Sequence, residues 1–275
     1  MHKRTFTVLG GDARMRYLTL ALRRAELPAA VSCVPGLPGD GTPEALLPQA
    51  DVLILPFPAL GADGCVSGTK RTPEEILSLL PARARVFCGK AGAALAAYPG
   101  TTDLLERPGL TMRNAALTAE GAVQLAMTRL PSSILGGRFL VVGAGRIGIA
   151  LAKKLRFLGA EVTVSARKDA DFAKIECENL RSERTGVYAH GLGAYDAVFN
   201  TAPAQVFTVE QLGSLAADCL YLELASAPGG TDEAGKKLLG ERYVSGSGLP
   251  GRCMPKTAGE LILNEIFACL EEDSL

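Results

Sequence analysis

Three glycines at G-x-G-x-x-G spacing, Gly143, Gly145 and Gly148, carry the most legible chemistry in this chain. At that spacing the first glycine permits a tight turn, the second lets backbone N–H groups approach a pyrophosphate, and the third lets a helix pack closely on the preceding strand. Arg146 and Ile147 complete the turn and count as cofactor contacts. The alternative is a glycine-rich structural turn. The flanks speak for the nucleotide: Phe139-Leu140-Val141-Val142 reads as a buried strand, and Ile147, Leu151, Leu155 and Leu158 recur at helical spacing. A helix N-terminus placed there offers unpaired N–H groups and a positive dipole end to phosphates.

The strand that follows, Glu161-Val162-Thr163-Val164, ends in Ser165-Ala166-Arg167-Lys168. NAD-preferring sites carry an acidic residue at this corner to hold the ribose 2′-hydroxyl. Here no carboxylate would repel a 2′-phosphate, and Ser165, Arg167 and Lys168 could hold one, which predicts NADP. The competing view is that both cations are ordinary solvated charges. Near the start of the chain, Gly10-Gly11-Asp12-Ala13-Arg14 forms a second strand-to-helix turn without the full glycine fingerprint. Arg14 at a helix start could bind a carboxylate; equally, Asp12 could cap the helix and leave Arg14 solvated.

These turns need elements to position them. Thr5–Leu9, Ala29–Val34, Asp51–Pro56 and Arg85–Cys88 read as strands, with helices from Met15 and from Thr72-Pro73-Glu74-Glu75. Leu110-Thr111-Met112 reads as a last short strand of this half, and Thr118-Ala119-Glu120 as the cap of a buried connector helix. In the second half Ala197–Asn200 and Leu220–Ser226 read as strands. Their exits, Asn200-Thr201-Ala202-Pro203 and Pro228-Gly229-Gly230-Thr231-Asp232, fall on the sheet edge that would face a nicotinamide. Gly246 to Lys256 reads as irregular, and Ala258 to Glu272 as a closing helix.

Composition narrows the classes. Lys+Arg and Asp+Glu both number 29, so no charge excess points to nucleic acid or an anionic membrane. No apolar run approaches the ~20 residues of a membrane span. Seven cysteines lie scattered without a C-x-x-C pair, and the first residues do not read as a signal peptide; the expectation is reduced thiols in a cytoplasm. With two histidines, His2 and His190, no metal site is expected.

Three motifs together resemble one family. Gly10-Gly11-Asp12-Ala13-Arg14, Leu224-Ala225-Ser226 with Pro228-Gly229-Gly230-Thr231-Asp232, and Gly248-Leu249-Pro250-Gly251 with Pro255-Lys256-Thr257-Ala258-Gly259 look like the family of dipicolinate synthase A subunits. The likeness runs in order over nearly the whole chain, and the layout is more distantly similar to alanine dehydrogenase. The resemblance implies an enzyme of the mother cell in sporulating bacteria. Working with the flavoprotein-like B subunit of dipicolinate synthase, it would make dipicolinate from the dihydrodipicolinate synthase product with NADP as oxidant. For such a small dicarboxylate, Arg14 and Lys256 would be the carboxylate anchors, with Lys90 and Arg113 as weaker candidates. Thr257 and Asp12 would hydrogen-bond the ring nitrogen or orient the cations, and Asn200, Thr201 and Ser226 would flank the nicotinamide. No general base is named by the sequence; Asp12 is a candidate.

The expectation is thus two Rossmann-like, doubly wound parallel-sheet α/β domains with an interdomain cleft. Residues 1–117, completed by a C-terminal helix in 250–275, form a substrate domain. Residues 118–132 form the connector, and 133–249 the NADP-binding domain. A homo-oligomer is compatible with this reading. The alternatives are an alanine- or shikimate-dehydrogenase-like enzyme on another small acid, and a non-catalytic sensor that binds NADP as a ligand.

Overall fold

Alternate residues of the central strands are apolar on both faces, which forces cover on both sides and favours parallel pairing through helical crossovers. The computed structural model describes residues 4–188 and 191–273; His2 and His190 lie outside them. The chain divides into two units, one running up to Arg113 and resuming at Met254, the other running from Asn114 to Cys253.

The first unit contains β1 (Phe6–Leu9), α1 (Ala13–Arg24), β2 (Ala29–Ser32), α2 (Pro43–Leu46) and β3 (Val52–Ile54). It continues through α3 (Pro73–Ser78), β4 (Arg85–Cys88), α4 (Gly92–Ala96) and β5 (Thr101–Asp103). The helix α5 (Pro108–Arg129) leads into the second unit. There follow β6 (Arg138–Val142), α6 (Arg146–Phe157), β7 (Glu161–Ala166), α7 (Asp169–Cys177), β8 (Arg181–Arg184) and β9 (Ala197–Asn200). Next come α8 (Val209–Gly213), β10 (Leu220–Glu223), α9 (Glu233–Leu239), β11 (Tyr243–Ser245) and α10 (Leu249–Cys253). The last helix, α11 (Pro255–Glu272), returns to the first unit.

Both sheets are wholly parallel. The first has order β2-β1-β3-β4-β5 and the second β11-β10-β9-β6-β7-β8. Each order reverses once, between β1 and β3 and between β6 and β9. Ligands of open α/β sheets bind outside the carboxyl ends of the strands at such switch points.

The strands' alternation sorts the core. Phe6, Val8, Val52 and Ile54 pack with Leu18 and Leu22 of α1 and with Ile262, Leu263 and Ile266 of α11, while Leu9, Leu53, Leu55 and Val86 face Leu47, Ile76 and Leu95. In the second unit Phe139, Val141, Phe199 and Leu222 pack with α5 and α6, and Leu140, Val142, Val198 and Tyr221 face Phe207, Leu212 and Leu239.

Several boundaries differ from the sequence-based expectation. Leu110-Thr111-Met112 is not a strand but the start of α5. Pro108 opens that helix with its φ already preset, and the Thr111 hydroxyl donates back to the carbonyls of Arg107 and Pro108. Thr118 is therefore no cap; it lies inside α5 and donates to Asn114 O at 2.8 Å. The strand of this region is β5, whose Thr101 and Thr102 pair with Val86 and Phe87. The stretch 246–256 is not irregular throughout, since it holds α10 and the first turn of α11, with Pro255 at the helix start. Two outer strands, β8 and β11, are not marked by local pattern, because they are short and carry charged or polar residues.

Candidate functional site

The fingerprint turn connects β6 to α6 at the switch point of the second sheet. Gly143 has φ +101°, a conformation other residues rarely adopt, and a Cβ there would sit 2.7 Å from Thr201 Oγ1. Its amide donates to Ser165 O at 2.9 Å. The Thr201 hydroxyl donates to Val142 O at 2.8 Å and touches Gly143 O at 3.3 Å. A Cβ on Gly148 would collide with the Gly143 carbonyl, so this glycine sets the close contact of helix and turn. At Gly145, by contrast, an added Cβ meets nothing within 4 Å. Gly145 is the N-cap of α6 and supplies no side-chain cap, so no cap side chain satisfies the amides of the first turn. Open space over bare helix amides fits a pyrophosphate. Arg146 is exposed beside it, and Ile147 is half-buried against the core.

The expected 2′-phosphate corner is only partly as anticipated. Ser165 is a correction: it is fully buried within β7, and its hydroxyl accepts from Thr185 Oγ1 at 3.1 Å. Strand alternation turns it into the sheet layer, and it contributes through its carbonyl to Gly143 instead. Arg167 and Lys168 are exposed where β7 gives way to α7. The Arg184 guanidinium reaches Arg167 O at 3.5 Å and lies over the Phe172 ring. A residue that sequence reasoning missed, Lys174, donates from Nζ to Ala144 O of the fingerprint turn at 3.0 Å. Only the fold places that third cation there, because it comes from α7, well downstream of the glycines.

The exits of β9 and β10 divide the same way. Thr201 and Ala202 are half-buried and Ser226 is exposed. Asn200 has no exposed surface. Its side chain is not open to a ligand: it donates to Ala202 O at 3.0 Å and to Glu223 Oε1 at 2.7 Å, and accepts from Ala202 N at 3.2 Å.

In the first unit, Gly10 and Gly11 turn the chain at the other switch point with φ +66° and +92°. The loop after β3 lies on this turn: Gly11 N donates to Ser67 O at 2.8 Å, and a Cβ on Gly68 would come within 2.7 Å of Gly11 N. Asp12 caps α1, accepting from Arg14 N at 3.0 Å. Arg14 is not solvated. Its Nε and Nη2 donate to the two Asp12 oxygens at 2.8–3.1 Å, and Nη2 also donates to Phe57 O, which leaves the side chain 12% exposed. The pair is thus a fixed fork with Nη1 outside these bonds. Asp12, engaged by both helix and guanidinium, serves as an orienting group in this geometry.

Helix α11 packs along α1. Gly259 allows it, since a Cβ there would strike Arg14 O and lie 3.1 Å from Leu18 N. Lys256 and Thr257, in the first turn of α11, lie just before that contact, Lys256 exposed. Two helix N-termini, an arginine and a lysine therefore gather in one region of the unit, a setting that favours carboxylates. Of the weaker candidates, Lys90 is exposed at φ +58° while its amide donates to Asp103 at 3.0 Å. Arg113 is placed otherwise: it pairs with the buried Glu265 at 3.5 Å. Cys88, at the end of β4, is a structural thiol pushed up to about 12 by burial and then by Asp103.

No family model matches the chain. It is, however, 31% identical over 284 residues to the A subunit of dipicolinate synthase from Bacillus subtilis (strain 168), covering 96% of this chain and 95% of that protein. The chain belongs to the family of dipicolinate synthase A subunits. Two solved structures of that family superpose over its length. The A subunit of dipicolinate synthase from Bacillus halodurans gives a TM-score of 0.83 at 26% identity, covering 98% of each chain. Its counterpart from B. subtilis gives 0.80 at 29% identity, covering 99% and 97%. The dipicolinate synthase A fold is thus the frame for both switch-point turns. Among the described residues no helix is long and apolar enough to cross a membrane, and none form a cluster of three metal-ligating side chains.

Proposed function

We propose that this chain carries the NADP-dependent step that converts the dihydrodipicolinate synthase product to dipicolinate in the mother-cell cytoplasm during sporulation, together with the flavoprotein-like B subunit of dipicolinate synthase. The observation that carries the reading is the family match over 96% of the chain. The open space at Gly145 supports a dinucleotide, and the exposed cations Arg167 and Lys168 support NADP over NAD. The first-turn amides of α6 would hold the pyrophosphate, with Arg146 and Ile147 beside it. Thr201, Ala202 and Ser226 would border the nicotinamide.

When bound, NADP+ supplies the hydride-accepting ring. The chain's own residues bind and orient the substrate. Arg14, held by Asp12 and Phe57 O, offers a preset guanidinium to one carboxylate, and Lys256 offers a point charge to the other. Thr257 would hydrogen-bond the ring nitrogen. A ring losing a hydride also loses a proton; Asp12 is committed to Arg14, so the favoured acceptor is water.

The test follows NADPH absorbance with purified protein, NADP+ and freshly made dihydrodipicolinate synthase product, with and without the B subunit. Parallel appearance of NADPH and dipicolinate is expected. Intact NADP binding with no NADPH in either mixture would overturn the reading.

A further inference from the structure

One row of paired residues crosses the second sheet just below its carboxyl edge: Ser165, Val142, Asn200 and Glu223 are successive register partners. Glu223 is the anomaly in it, a carboxylate 6% exposed at the end of an otherwise apolar strand. Burying it requires that its lone pairs be met. They are. Oε1 accepts from Asn200 Nδ2 at 2.7 Å and from Ala225 N at 3.1 Å. Oε2 accepts from Gly230 N at 2.7 Å and from Tyr221 OH at 3.4 Å. Burial first, and then Glu223 itself, push the Tyr221 phenol upward, so it stays a donor. With its oxygens so engaged, Glu223 is unsuited to take a proton from a substrate.

We propose that Glu223 is a positioning residue for the nicotinamide half of the dinucleotide site. The inference rests on the cofactor reading above. Through Asn200, which grips both backbone groups of Ala202, the carboxylate fixes the exit of β9. Through Ala225 and Gly230 it fixes both ends of the β10 exit loop that carries Ser226. Gly230 is matched to this role, because a Cβ there would meet Asn200 Nδ2 at 2.5 Å and collide with the Tyr221 hydroxyl. None of these contacts involves the Arg167–Lys168 corner, which would serve the adenosine half. Glu223→Gln replaces one acceptor oxygen by an amide donor, setting donor against donor at Gly230 N or at Asn200.

The experiment compares the native protein with E223Q for binding of 2′,5′-ADP, which probes the adenosine half alone, and of NADPH. The variant is expected to bind 2′,5′-ADP unchanged and NADPH about tenfold more weakly, with loss of the nicotinamide fluorescence enhancement. Equal losses for both ligands, or unchanged NADPH binding, would overturn the proposal. Should E223Q fail to fold, amide exchange in the cofactor-free native protein decides: Ala225 and Gly230 as slow as the amides of β10 support a preset loop, and exchange at open-loop rates refutes it. If the native protein binds neither ligand, the cofactor reading itself is at fault and the positioning role falls with it.

Discussion

Arg167 and Lys168 are the residues on which the proposed preference for NADP rests. Both are exposed just past the end of β7, which closes on Ser165-Ala166 rather than on a carboxylate. Replacing both by alanine should weaken NADPH binding about 10²-fold, as the loss of two charge-assisted contacts, and leave NADH nearly unchanged. Fluorescence titration with both nucleotides checks this, and equal losses would remove the corner from the 2′-phosphate. Ser165 illustrates the opposite case. Its residue type suits a phosphate, yet strand alternation buries it and commits its hydroxyl to Thr185. Arg14 lies between the two. It is a cation of the right type at the right turn, and its partner Asp12 both caps α1 and holds the guanidinium still. That pair costs freedom in the free protein, which lowers the ordering cost of binding a carboxylate.

At the scale of the element, the strand–turn–helix unit of β6 and α6 assigns different work to glycines of one motif. An added Cβ at Gly145 meets no protein atom and its φ is −75°, whereas one at Gly148 strikes the Gly143 carbonyl. Gly145→Ala should therefore keep the thermal midpoint of the native protein while cutting NADPH affinity, because the new methyl group occupies the phosphate approach. Gly148→Ala should instead destabilise by about 1–3 kcal/mol, the usual cost of overpacking. Thermal unfolding measured beside nucleotide titration separates the two. A midpoint loss at Gly145 matching that at Gly148 would show that the motif is structural only.

At the scale of the whole molecule, the two units differ in how the chain builds them. The second is continuous, from Asn114 to Cys253. The first is completed only when α11 arrives, and α11 supplies Ile262, Leu263, Ile266, Cys269 and Leu270 to the core around Phe6, Leu18 and Leu22. The fragment 114–253 should accordingly fold alone and bind NADPH, whereas 1–113 should stay unfolded and recover when 254–275 is fused to it. Circular dichroism and cooperative thermal unfolding of the three fragments test this; a folded 1–113 would show that α11 is dispensable to its core. The buried Glu265 of α11, held by Arg107 at 3.0 Å, makes the same point in charge: removing the helix strands an arginine as well as an apolar face.

Much of this was legible from the sequence alone. Periodicity marked the central strands, because apolar residues on both faces of Val52–Ile54 or Leu140–Val142 suit only a covered parallel sheet. The glycine spacing marked the tight turn between β6 and α6, because only glycine fits the positive φ at Gly143 and the close contact at Gly148, and the ordered motifs from Gly10 to Gly259 marked the family. What local pattern could not supply was anything set by packing between distant segments. That Asn200 would be sealed by Glu223, that Lys174 would cap Ala144, and that α5 would begin at Pro108 each depend on neighbours far away in sequence. A hydrogen-bond partner or a buried face becomes defined only once the sheet orders bring those segments together. Sequence thus determined which residues could do the chemistry, and tertiary structure decided which of them stay exposed and which hold the others in place.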